Sequence, residues 1–177
     1  MRKKTVFILI ILLIAVLLII YQRRTGKNKY TINNESGILI GAEGAENSLV
    51  LYTSIYCDSC RELNNNIHEL LFNEIKEGNL KIILKLTDSD FYKVKNEIFY
   101  DYQIISECYN DLTILKRGFT NNLDVDEIKK RSEMFDIIQS EIENNDINVL
   151  PTFIFNNEKY VGIYTEQEMI NILLYMD

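Results

Sequence analysis

The segment Tyr56-Cys57-Asp58-Ser59-Cys60 carries two cysteines three positions apart, a spacing at which two thiols can close into a disulfide and reopen from it. The reacting species in such an exchange is the thiolate. Residues 48–55, just before the pair, are rich in β-branched and aromatic types. From 61 to 74, apolar residues recur at helical spacing, at Leu63, Ile67, Leu70 and Leu71. The pattern predicts a strand that hands over to a helix at the cysteines. Unpaired backbone N–H groups at a helix N-terminus favour negative charge, so Cys57, at the mouth, is the expected nucleophile. Cys60, one turn further in and less exposed, is the expected thiol that resolves a mixed disulfide.

The elements that must position this pair follow along the chain. Residues 80–87 read as a second strand between Gly78-Asn79 and Asp88-Ser89-Asp90, and strand, helix, strand implies a parallel crossover. Residues 91–143 turn helical, with a break near 118–122. The chain closes with a strand at 152–155, a turn at Asn156-Asn157, a short strand at 159–163 and a helix over 165–176, where Thr165 and Glu168 fit a capping box. A short edge strand is predicted at 37–40. Together these make an α/β sheet with helices on both faces.

Pro151 is the only proline, and it stands directly before the strand Thr152-Phe153-Ile154-Phe155. Proline cannot donate to a strand ladder, so its place reads either as an ordinary strand start or as a cis bond.

In this order the residues resemble the thioredoxin-fold disulfide oxidoreductases, closest to the DsbA-like branch. Gly41, Ala45 and Leu49-Val50 are spaced before Cys57 as in that branch. Pro151-Thr152-Phe153-Ile154-Phe155-Asn156-Asn157, followed by Val161-Gly162, is similar to its Pro-Thr-Phe strand and closing hairpin. The resemblance implies that Pro151 is cis and packs beside Cys57 and Cys60, and that the backbone of Leu150 offers an edge to an extended substrate peptide. It also implies that residues of about 89–147 are an inserted helical subdomain lining the substrate groove. Tyr56, next to Cys57, is expected to touch substrate.

Two departures matter. Family members commonly carry an acidic residue six positions before the first cysteine, thought to help move the proton of the second thiol; here Leu51 stands there, with Glu43 and Glu46 as substitutes to consider. The residues between the cysteines, Asp58 and Ser59, tune redox poise, and a carboxylate beside Cys57 opposes negative charge there, so a weaker oxidant than the strongly oxidising members is expected.

Other candidates read more plainly. Cys108 is expected to be a buried small residue and His68, about three turns from Cys57, a surface one. A zinc site from Cys57, Cys60, Cys108 and His68 is disfavoured with a single histidine in the chain. The expectation is no metal and no organic cofactor. The acidic positions from Asp124 to Glu143 read as solvated helix faces.

The chain has 177 residues, 47% of them hydrophobic, and a formal net charge of −7. That suits one domain with an appendage, and the acidic balance argues against nucleic acid. The appendage is a run of fifteen apolar residues, 6–20, with Arg2, Lys3 and Lys4 before it and Arg23 and Arg24 after it. It is just long enough to span a bilayer, and no small-residue cleavage site follows it. The resulting organisation is a basic tail at 1–5, a transmembrane signal-anchor at 6–21, a polar tether at 22–36 and a DsbA-like thioredoxin domain at 37–177. Paired cysteines make most sense outside the reducing cytosol, which places the domain on the extracytoplasmic side of the cell membrane, acting on exported cysteine-containing proteins. A membrane redox partner or a small-molecule oxidant would recycle it. The competing readings are a tethered thiol reductase or isomerase, and a non-catalytic peptide-binding module.

Overall fold

The computed structural model describes residues 30–120 and 122–174; the 6–21 segment lies outside them. No helix among the described residues is long and apolar enough to cross a membrane. The sheet has five strands, β1 (Ile38–Ile40), β2 (Asn47–Thr53), β3 (Leu80–Leu86), β4 (Thr152–Phe155) and β5 (Glu158–Val161), in the order β1-β3-β2-β4-β5. β2 runs parallel to β3, with Leu51 opposite Leu84, and antiparallel to β4, with Leu51 opposite Phe153. The central strand β2 is thus paired on both edges, and it ends at the cysteine motif.

α1 (Asp58–Glu77) buries Cys60, Leu63, Ile67 and Leu71 on one stripe against the sheet. A fully buried leucine of this kind contributes about 1.5–3 kcal/mol. Gly78 stops the helix: it adopts φ +81°, and its N–H and that of Asn79 donate to the carbonyls of Ile75 and Glu74. α6 (Glu166–Leu173) packs beside α1 and is opened by the Thr165–Glu168 capping box.

Between β3 and β4 the chain forms a 3₁₀ turn (Ser89–Lys93) and four helices, α2 (Asn96–Phe99), α3 (Tyr102–Asn110), α4 (Leu112–Gly118) and α5 (Val125–Asn144). Arg131 of α5, 1% exposed, holds this insert together. Its guanidinium donates to the carbonyls of Tyr92 and Val94 and to the Asn96 amide oxygen, pairs with Glu127, and lies 4.0 Å from the centre of the Phe99 ring.

Two expectations need correction. Residues 30–36, expected to belong to the tether, are docked on the domain: Thr31 and Asn145 exchange hydrogen bonds, and the Asn33 N–H donates to Glu141 at 2.6 Å. Polar pairing, which leaves no apolar period in the sequence, holds this segment. Glu141 is likewise not on a solvated face. It is 4% exposed and takes a salt bridge from the fully buried Lys85 at 3.0 Å, together with the Tyr52 hydroxyl.

Candidate functional site

β2 delivers the cysteine motif through the loop Ser54-Ile55-Tyr56. Cys57 is the N-cap of α1, half-buried, and its Sγ accepts the Cys60 N–H at 3.3 Å. One turn along, Cys60 is 1% exposed. All three cysteines are free thiols. Burial pushes the Cys60 thiol up to about 12, and the Cys57 sulfur adds to the shift, while hydrogen bonds from Ser54 and Thr53 work against it. The pair therefore consists of one reachable sulfur that faces unpaired helix N–H groups and one sealed sulfur held as the neutral thiol.

The peptide Leu150–Pro151 is cis. The Leu150 carbonyl faces the Cys57 Sγ at 3.9 Å, and the Pro151 carbonyl accepts the Gly162 N–H at 2.9 Å. Cys57, Cys60, Leu150 and Pro151 are thus brought together where the carboxyl end of β2 meets the start of β4. Tyr56, half-exposed, stands at the outer side of this corner. Ser59 is half-buried in the first turn of α1. Asp58 points outward and pairs with Arg61 at 2.8 Å, so the charge expected to oppose a Cys57 thiolate is met by a cation one turn away.

Sequence reasoning missed Asp88. Its carboxylate accepts the Ile55 N–H at 2.6 Å and the Ser54 hydroxyl at 2.8 Å, which fixes the loop that carries Cys57. Burial raises its pKa, and those two hydrogen bonds partly offset the rise. Asp88 looked like a turn residue after a strand; the only sequence signal was its place at the carboxyl end of the strand beside β2. Glu43 and Glu46, by contrast, are exposed and precede β2 at the end remote from the cysteines, about 23 Å away over seven strand residues. They cannot serve Cys60.

The architecture has counterparts among known proteins. A family model described as thioredoxin matches residues 33–112. A periplasmic thioredoxin-like protein from Salmonella enterica serovar Typhimurium superposes with a TM-score of 0.61 at 13% identity, covering 89% of this chain and 95% of that one. The fold is thioredoxin-like. The thiol-disulfide exchange protein alpha-DsbA2 from Wolbachia pipientis superposes with a TM-score of 0.59 at 15% identity, over 81% of this chain and 88% of the other. Alpha-DsbA1 of the same organism gives 0.61 at 16%, over 84% and 93%. No curated protein matches the sequence.

In this thioredoxin-like domain the helical insert adds a cleft of about 480 Å³ lined by Asp90, Tyr92, Lys93, Phe119, Leu123 and Ile128. Asp90 on its wall bears on the Tyr56 hydroxyl, whose pKa is raised first by burial and then by Asp90 and Asp88. His68 lies apart from this corner, half-buried in a cleft between α1 and α3 with Phe72 and Tyr102. Cys108 is wholly buried; desolvation, with Glu107 and Asp111 behind it, pushes its thiol up to about 11. Among the described residues no three His, Cys, Asp or Glu side chains come together as a metal-holding group.

Proposed function

We propose that the protein is a thiol–disulfide oxidoreductase that exchanges a Cys57–Cys60 disulfide with protein substrates. The observation that carries this reading is the inequality of the two thiols: Cys57 caps α1 and is reachable, while Cys60 is sealed beneath it and donates its N–H to the Cys57 sulfur. An incoming thiolate can attack only the outer sulfur, and the inner one is then the leaving group. The backbone at Leu150, beside Cys57 and outside the β4 ladder, is where an extended substrate segment would pair. Tyr56 and the cleft of the helical insert would hold its flanking side chains.

The likeness to thiol-disulfide exchange proteins supports the chemistry, and the apolar run at 6–20 supports a tether that holds the domain at the extracytoplasmic face, acting on exported cysteine-containing proteins. Acting as a disulfide donor, the pair would be recycled by a membrane partner or a small-molecule oxidant, and its strength as an oxidant depends on how far Arg61 offsets the Asp58 charge beside Cys57.

The reduction potential of the pair, titrated against glutathione in the full-length chain with Cys108→Ser, tests the reading. A value of about −120 to −180 mV marks a disulfide donor or isomerase, and one near about −270 mV marks a reductase. A disulfide that stays closed at every glutathione ratio is structural and ends the proposal.

A further inference from the structure

Cys60 is sealed from solvent, yet during exchange it must bear negative charge. When a substrate thiolate attacks the Cys57 Sγ, a new S–S bond forms, the Cys57–Cys60 bond breaks, and the bonding pair leaves on the Cys60 Sγ. In the reverse direction the Cys60 thiolate attacks. With Leu51 where family members carry an acid, and with Glu43 and Glu46 at the far end of β2, the groups that meet this charge must be found elsewhere.

β2 itself supplies them. Side chains alternate along a strand, so Leu49, Leu51 and Thr53 share the face that packs on α1, and Thr53 stands about 6.6 Å closer to the helix mouth than Leu51. Thr53 thus lies on the face against which α1 buries Cys60, and its hydroxyl is placed to favour the Cys60 thiolate. Behind it, the Thr53 Oγ1 lies 2.7 Å from the Tyr109 hydroxyl of α3, in a contact where either oxygen can donate. Thr53 is 1% exposed and Tyr109 4%, so no bulk water competes for these bonds.

We propose that Thr53 and Tyr109 are positioning residues for Cys60, a chain of two hydroxyls that reverses direction as the sulfur changes charge. This rests on the thiol–disulfide exchange reading. When Cys60 leaves as a thiolate, Tyr109 donates to Thr53 and Thr53 donates to the sulfur. When Cys60 is a thiol, its S–H donates to Thr53 and Thr53 donates to Tyr109. Over a full oxidation the two substrate thiols give up two electrons and two protons, which end on Cys57 and Cys60, while the hydroxyls only reorient. Tyr109 does not ionise: burial, with Cys60, Tyr102 and Asp88 adding, holds it well above the ordinary tyrosine value against the opposing Thr53 bond. The titratable groups around Cys60 are therefore Cys57 on α1, Tyr109 with Tyr102 behind it on α3, and Asp88 after β3.

The test is the rate at which Cys60 resolves a Cys57–glutathione mixed disulfide in the full-length Cys108→Ser chain, from pH 6 to 9, with Cys57 alkylation measured in parallel. Because the Cys60 thiol is pushed up to about 12, the rate should climb about tenfold per pH unit without a plateau in this range. Thr53→Val should lower it about tenfold at every pH, the worth of one hydrogen bond to a charged sulfur. Tyr109→Phe should lower it about threefold, and Thr53→Ser should return to within about twofold of the parent, all with unchanged Cys57 alkylation. Resolution at the parent rate in Thr53→Val, or an equal fall in Cys57 alkylation, overturns the proposal. Should Thr53→Val not fold, Tyr109→Phe decides alone, and a parent-like rate in it is fatal. A parent chain that forms no mixed disulfide at all overturns the exchange reading instead, which separates the two failures.

Discussion

Tyr52 and Thr53 are neighbours at the end of β2, both essentially without solvent exposure, and they point to opposite faces of the sheet into two different polar clusters. On one face Tyr52, Lys85, Glu141, Ser36 and the carbonyl of Asn33 close on one another. On the other, Thr53 and Tyr109 bond to each other on the side of the sheet where α1 buries Cys60, with Asp88 bracing the adjoining loop. The first cluster has full charges with every partner supplied by the protein. The second surrounds a sulfur whose charge would be transient in the proposed exchange. A buried ion pair is costly to break and does nothing for a substrate, whereas a thiol surrounded by neutral donors can change state without leaving an orphaned charge. One strand end thus serves two sites by alternation: it anchors the 30–36 segment on one side and lines the cysteine corner on the other.

The sharpest way to break this division is to cross the readouts. Cys57→Ser should abolish disulfide exchange with glutathione while leaving stability to urea within about 0.5 kcal/mol; a large stability loss would show that the redox corner also holds the fold. Glu141→Ala should do the opposite. It strands Lys85, whose pKa burial already depresses against the pull of Glu141, and should cost about 3–5 kcal/mol in urea unfolding. Its exchange rate per folded molecule should stay at the parent value, and a fall there would couple the two faces. Asp88→Ala should cost less than Glu141→Ala, about 1–3 kcal/mol. It orphans the Ile55 N–H but also removes a carboxylate that burial penalises, so the lower end is expected, together with slower attack at Cys57. Unfolding curves and stopped-flow exchange on the same preparation would read both effects, and an unaltered exchange rate would limit Asp88 to scaffolding.

Much of the cysteine corner is legible along the chain because its signals are local. The strand before Cys57, the apolar stripe Leu63, Ile67 and Leu71, the capping box at Thr165 and the Pro151-Thr152 junction each declare themselves within a few residues. What surrounds Cys60 is not legible in this way. Thr53 and Tyr109 are 56 residues apart, and Asp88 stands 33 residues from the Ile55 N–H that it accepts. The acids near in sequence, Glu43 and Glu46, lie at the far end of β2 from Cys60.

The other cluster was hidden more deeply. A lysine in an apolar strand and a glutamate on an acidic helix look like surface residues, and the polar run at 30–36 looks like a tether, because burial of a charge pays only when its partner arrives from elsewhere in the chain. The sequence by itself determined the periodicity of its elements and the placement of Cys57 at a helix mouth, since both follow from spacing over one or two turns. Only the tertiary structure decided which polar groups are buried and with whom, since that depends on contacts between residues as far apart as Asn33 and Glu141, 108 positions along the chain.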